Sequence, residues 1–177
     1  MVGEMAIIMN DLVRRDAAEP GSTYTEGGDP YRHNPPANQA HVRVIRFRAR
    51  IGSMVNEYLG DEHDDHPVCI LAVPTGKSFA EGLRSYLTAK GKDAEYCELS
   101  TLREYNESGL PRFRRPDRRL IEGRRLVVVD DIFLPDEYEN LARQVDSWKR
   151  DVEFEDVIYA AEVDCTGATQ YAVRRGC

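Results

Sequence analysis

The chain has 177 residues, long enough for one domain with a substantial core, and its 41% hydrophobic and 31% charged residues describe a globular protein with a densely charged surface. A formal net charge of −7 argues against general affinity for nucleic acid, and no apolar run reaches the roughly 20 residues of a membrane helix, so neither partner is expected. Residues 1–10 lack a basic leading region and a cleavage pattern, and Cys69, Cys97, Cys165 and Cys177 form no Cys-x-x-Cys pair, which together predict reduced thiols and a cytoplasmic protein.

In chain order, residues 1–15 predict a short amphipathic helix. Residues 16–40, with Asp29-Pro30 and Asn34-Pro35-Pro36, predict a loop, so 1–40 is set apart as an N-terminal extension and 41–177 as the domain. Val44, Phe47, Ile51, Met54, Val55 and Tyr58 recur at helical spacing and predict a helix over 41–59, which also carries the basic group Arg43, Arg46, Arg48 and Arg50. The run Asp61-Glu62-His63-Asp64-Asp65-His66 reads as a solvated turn. Zinc needs clustered ligands, and the four histidines do not supply them.

A strand over 68–73 follows, then the turn Pro74-Thr75-Gly76-Lys77 and a helix over 79–89. Ser78 and Glu81 have capping-box spacing, and Phe79, Leu83 and Leu87 make the apolar stripe. Residues 94–99 predict a strand and 100–119 a polar, arginine-rich stretch. A strand from Leu126, a helix over 135–149 with Tyr138, Leu141, Val145 and Trp148 on one face, and a strand over 157–163 complete the pattern. Alternating strands and helices predict a single α/β domain with a mostly parallel, twisted sheet and helices on both faces. The Pro74 turn, the acids after Val129 and the residues after Val163 then share one sheet edge.

The most informative segment is Leu126-Val127-Val128-Val129-Asp130-Asp131. Its β-branched run is a strand covered on both faces, and burying an unpaired charge is costly, so the two carboxylates are expected to emerge at the carboxyl edge. Open α/β folds bind ligands there, and paired acids in that place suit ribose hydroxyls or a divalent metal. The arginines between Arg112 and Arg125 suit either a phosphorylated small molecule or a solvated loop or interface stripe.

These motifs resemble those of the type I phosphoribosyltransferase superfamily. The strand ending in Asp130 and Asp131, its lead-in Ile121-Glu122-Gly123-Arg124-Arg125, and the strand–turn–helix from Ile70 to Leu83 carry the resemblance, which spans 67–164. It implies that Asp130 and Asp131 hold the ribose hydroxyls of phosphoribosyl pyrophosphate and share Mg²⁺. It also implies that Pro74, Thr75, Gly76 and Lys77 contact pyrophosphate. Residues 100–119 take the place of a mobile closing loop, with Arg112, Arg114 or Arg115 reaching the phosphates. The residues from Asp164 to Ala168 stand where the base is contacted. Transfer of phosphoribose to a nitrogen acceptor, and a homodimer, are the implied activity and assembly.

One segment departs from that pattern. In place of a Thr/Gly phosphate cradle the chain has Ile132-Phe133-Leu134-Pro135-Asp136-Glu137, with no glycine and with a proline that lacks an N–H donor. Two unit charges about 4 Å apart interact by roughly 4 kcal/mol at surface-like dielectric, so Asp136 and Glu137 would repel a phosphate there. A catalytically silent binding or regulatory module of the same fold is therefore the alternative. A second alternative, a P-loop-like nucleotide binder, rests on Gly76-Lys77-Ser78, but Leu71 sits where that loop needs its first glycine.

Overall fold

The structure is a computed structural model that describes residues 37–60, 66–106, 109–166 and 172–175. The helix expected over 1–15, most of the loop that follows it and the acidic residues 61–65 lie outside the described residues. Among the described residues no helix is long and apolar enough to cross a membrane.

The first helix, α1 (Ala37–Leu59), buries Phe47, Ile51, Val55 and Leu59, one residue per turn of a single stripe. Gly60 ends it with φ of 85°, and two cations complete the exposed carbonyl end. Arg125 Nη1 donates to the Leu59 carbonyl at 2.6 Å, and Lys92 Nζ donates to that of Gly60 at 3.3 Å. Strand β1 (Val68–Ala72) runs into a 3₁₀ turn at Pro74–Gly76 and helix α2 (Lys77–Ala89). The helix starts directly from that turn, with Gly76 as its N-cap and no side-chain cap bond, so the capping box expected of Ser78 and Glu81 is not formed. Proline pre-sets the backbone at the turn's first position and winds the chain one turn earlier than the Ser-x-x-Glu spacing suggests.

Strand β2 (Ala94–Glu98) lies beside β1; next come β3 (Thr101–Tyr105), β4 (Pro111–Phe113), the short α3 (Arg118–Ile121), β5 (Arg125–Phe133), α4 (Pro135–Trp148), β6 (Val157–Asp164) and β7 (Ala172–Arg175). The main sheet has the order β2-β1-β5-β6-β7, parallel except for β7. Helices on both faces of a mostly parallel sheet are thus present as expected. One face carries Ile70, Ala72, Val127, Val129 and Ile158 against Phe47 and Ile51 of α1 and Phe79, Leu83 and Leu87 of α2. The other carries Cys69, Leu71, Leu126, Val128 and Tyr159 against Leu141, Val145 and Trp148 of α4, Ile121 of α3 and Phe113 of β4. Both faces being covered is why the strands read as unbroken apolar runs.

The 100–119 stretch is where expectation and structure part. β3 and β4 form an antiparallel hairpin, and two amide side chains one helical turn apart on α4 hold it. Gln144 accepts from the Phe113 N–H at 2.7 Å and donates to the Pro111 carbonyl at 3.1 Å, supplying both partners a neighbouring strand would offer. Asn140, itself buried, donates to the same carbonyl at 2.9 Å and accepts from Asn106 Nδ2 at 3.0 Å. Gln144→Ala leaves the Phe113 N–H without that acceptor, at an expected cost of about 1 to 3 kcal/mol. Hydrogen exchange at the Phe113 amide should accelerate correspondingly, and an unchanged rate would show that the hairpin does not depend on this clip.

Candidate functional site

The chain leaves β1 through α2 to β2 on one side, and leaves β5 through α4 to β6 on the other. The order therefore reverses between β1 and β5, and that switch point is where open α/β sheets form a crevice for ligands. β1 ends at Ala72 opposite Val129, whereas β5 and β6 continue to Phe133 and Asp164. The result is a step at the sheet's carboxyl edge. The 3₁₀ turn stands on the low side, and Asp130 and Asp131 are the first two residues of the high side.

The step is tightly built. Val73 N donates to the Val129 carbonyl at 2.9 Å and Gly76 N to the Val73 carbonyl at 2.8 Å, so the turn lies flat against β5. Gly76 makes this approach possible, because a Cβ there would meet Val129 O at 2.5 Å and Asp130 Cα at 2.6 Å. Thr75 Oγ1 then donates to Asp130 Oδ1 at 2.6 Å, and the Asp131 N–H donates to the same oxygen at 2.8 Å.

Asp130 does not emerge into solvent as its place in the sequence suggests. It is 9% exposed, because β5 runs on to Phe133 beyond it, and Asp131 is half-buried. Burial pushes the Asp130 carboxyl well above the ordinary carboxylate range, and the adjacent Asp131 side chain adds to this. The bonds from Thr75 and the Asp131 N–H pull the other way. Among the described residues no lysine, arginine or histidine forms an ion pair with either acid. Nor do three or more His, Cys, Asp or Glu side chains gather among them into a metal-holding group.

The other expected site residues are spread more widely. Lys77 opens α2 beside the turn, and its exposed ammonium bonds Glu98 Oε2 at 3.0 Å, which raises it above its ordinary range. Pro74 and Thr75 are exposed on the turn, and Asp136 is exposed in the first turn of α4. That helix begins with Leu134 as N-cap and no capping bond, Pro135 has no N–H, and the Tyr138 N–H already bonds the Leu134 carbonyl. Arg112 and Arg114 lie exposed on and just after β4. Arg115 pairs at 2.8 Å with Asp151, in the connection from α4 to β6 at the opposite, amino edge. Arg118 and Arg119 pair with Glu122 and Asp117, so this part of the arginine cluster is held by local carboxylates.

Asp164 at the end of β6 is a pairing that residue spacing does not reveal. It is 2% exposed and accepts from Arg174 of β7 and from the N–H and hydroxyl of Thr166. The Arg174 guanidinium also lies 5.5 Å from the centre of the Tyr138 ring on α4. Burial raises the Asp164 carboxyl, but the bonds from Thr166 and Arg174 outweigh it and hold it below its ordinary range. The only hint in the sequence is an arginine on an otherwise unremarked terminal segment.

No protein-family model matches the chain, and no curated protein does. Solved structures do. A Trypanosoma cruzi hypoxanthine phosphoribosyltransferase in complex with the product IMP shares 17% identity over 75% of this chain and 70% of its own, with a TM-score of 0.51. A hypoxanthine phosphoribosyltransferase from Staphylococcus aureus shares 10% identity over 72% of this chain and 66% of its own, with a TM-score of 0.52. The chain has the phosphoribosyltransferase fold. At these identities the likeness concerns the course of the chain, and it bears out at that level the resemblance read from residues 67–164. Within this phosphoribosyltransferase fold, the β1–β5 step is where the turn at Pro74–Gly76 meets the acids that end the valine run, while the lead-in at 121–125 lies at the amino end of β5.

Proposed function

We propose that the protein binds a phosphorylated ribosyl ligand, phosphoribosyl pyrophosphate or a nucleotide, at the β1–β5 step. The observation that carries this reading is a pair of adjacent carboxylates at the switch point, next to a helix-opening turn, with no protein cation paired to them among the described residues. Asp130 and Asp131 hold the ribose hydroxyls, and Pro74, Thr75, Gly76 and Lys77 form the wall nearest the pyrophosphate. Mg²⁺ fits the same acids, because it is commonly bound by one or two carboxylates together with substrate phosphates rather than by a full protein cage. When bound it would neutralise charge on the departing pyrophosphate. Arg112 and Arg114, both exposed, are the arginines we assign to the phosphates.

The activity we assign on this reading is transfer of phosphoribose to a nitrogen acceptor. The protein's part is to align donor and acceptor and to surround a developing positive charge on the ribose with fixed carboxylates. The free thiols of Cys69 and Cys97 agree with a cytoplasmic setting, and we expect a homo-oligomer there. A second reading, a binding or regulatory module without turnover, is favoured by the start of α4. Pro135 lacks a donor, and Asp136 and Glu137 place negative charge where a phosphate would otherwise find a helix end.

Calorimetry with phosphoribosyl pyrophosphate and Mg²⁺ tests the shared part of both readings, and release of pyrophosphate with hypoxanthine as the first acceptor separates them. Binding is expected in the wild type and loss of at least about tenfold in affinity in Asp131→Ala, the scale of one strong charge-assisted interaction. Binding with no pyrophosphate released with any purine or pyrimidine base supports the module. Absence of heat at millimolar ligand overturns both.

A further inference from the structure

We infer that Thr75 is a positioning residue for Asp130: its hydroxyl, delivered by the turn pinned on β5, sets the orientation of the carboxylate that meets the ligand. This deepens the proposed function and rests on it, since it concerns how the same site is prepared.

The bond itself is short, 2.6 Å from Thr75 Oγ1 to Asp130 Oδ1, and it joins residues 55 apart in sequence. The Asp131 N–H reaches the same Oδ1 at 2.8 Å, so one oxygen of the carboxylate takes two donors and Oδ2 takes neither. Two donors on one oxygen fix the rotation of the group as well as its place.

The surroundings make the hydroxyl's position a property of the fold. Pro74 restricts the backbone just before Thr75, Gly76 N closes the turn on the Val73 carbonyl at 2.8 Å, and Val73 N anchors it to Val129 at 2.9 Å. Behind it, glycine at 76 lets the turn rest on the backbone of Val129 and Asp130. Threonine is stiff at χ1, so its hydroxyl is held in few orientations. The side chain stands on an exposed turn while its partner is buried, so the donor can be removed without opening the core. A buried carboxylate held this way keeps its geometry before the ligand arrives, and a site prepared in advance binds more tightly than one that must be ordered on binding.

The test uses the full chain, with phosphoribosyl pyrophosphate plus Mg²⁺ as the probe, in wild type, Thr75→Val and Thr75→Ser. Valine keeps the shape and removes the donor; serine keeps the donor and loosens it. Thr75→Val is expected to weaken binding by roughly tenfold to a hundredfold, the scale of a hydrogen bond to a charged group, with a cooperative urea transition that shows the variant folded. Thr75→Ser is expected to recover binding to within about threefold of wild type, the penalty of choosing among three rotamers. Wild-type affinity in Thr75→Val, or a serine variant as weak as the valine one, overturns the inference and leaves the proposed function standing. No binding by the wild type overturns the proposed function and this inference with it.

Discussion

Gly76→Ala is expected to destabilise the protein and disable the step at the same time. The added methyl would lie 2.5 Å from Val129 O and 2.6 Å from Asp130 Cα, both backbone atoms of a buried central strand that cannot rotate away. The turn must therefore lift. Overpacking of this kind costs about 1 to 3 kcal/mol. Lifting the turn also stretches the Val73–Val129 and Thr75–Asp130 bonds, so the loss in ligand affinity should exceed that of Thr75→Val alone. Urea unfolding reads the first effect and calorimetry with phosphoribosyl pyrophosphate and Mg²⁺ the second. An alanine variant with wild-type stability would mean that the turn does not lie against β5 in solution.

Arg174→Met is expected to cost about 3 kcal/mol near neutral pH, the lower end for breaking a buried ion pair, because Asp164 is 2% exposed while the arginine is about one-third exposed. Methionine keeps most of the aliphatic volume and removes the charge that faces Asp164 and the Tyr138 ring. The pH dependence gives the sign. The Asp164 carboxyl is held below its ordinary range in the folded state, so its stabilisation is present above the unfolded-state value, near 3.9, and disappears as pH falls through the folded-state value. The gap between wild type and Arg174→Met should therefore be largest near neutrality and narrow in acid. A gap that does not change with pH would assign the loss to packing and not to the ion pair. Because Tyr138 is the fourth residue of α4, the same variant should loosen the helix start beside the site.

How far each of these features could be read in advance depends on the range of the interaction that makes it. The valine run before Asp130 and Asp131 identifies a covered strand, since both faces of β5 meet apolar side chains in immediate succession. Pro135 with Asp136 and Glu137 identifies the start of α4, because helix starts are chosen by a few adjacent residues. The hairpin was not legible. β4 is only three residues long, and the polar side chains that hold it come from Asn140 and Gln144 on a later helix. β7 was missed for a related reason: four residues pairing antiparallel at a sheet edge carry little periodicity of their own.

By itself the amino-acid order determined the kinds of element and their alternation, and from that the parallel sheet and the edge on which the turn and the acids fall, because these follow from periodicities within single segments. Only the tertiary structure decided that β1 stops at Ala72, opposite Val129, while β5 continues, that Asp130 is buried with Thr75 on one of its oxygens, and that Arg115 belongs to the far edge. Those outcomes depend on strand register and on side chains meeting across tens of residues, where no local pattern distinguishes one partner from another.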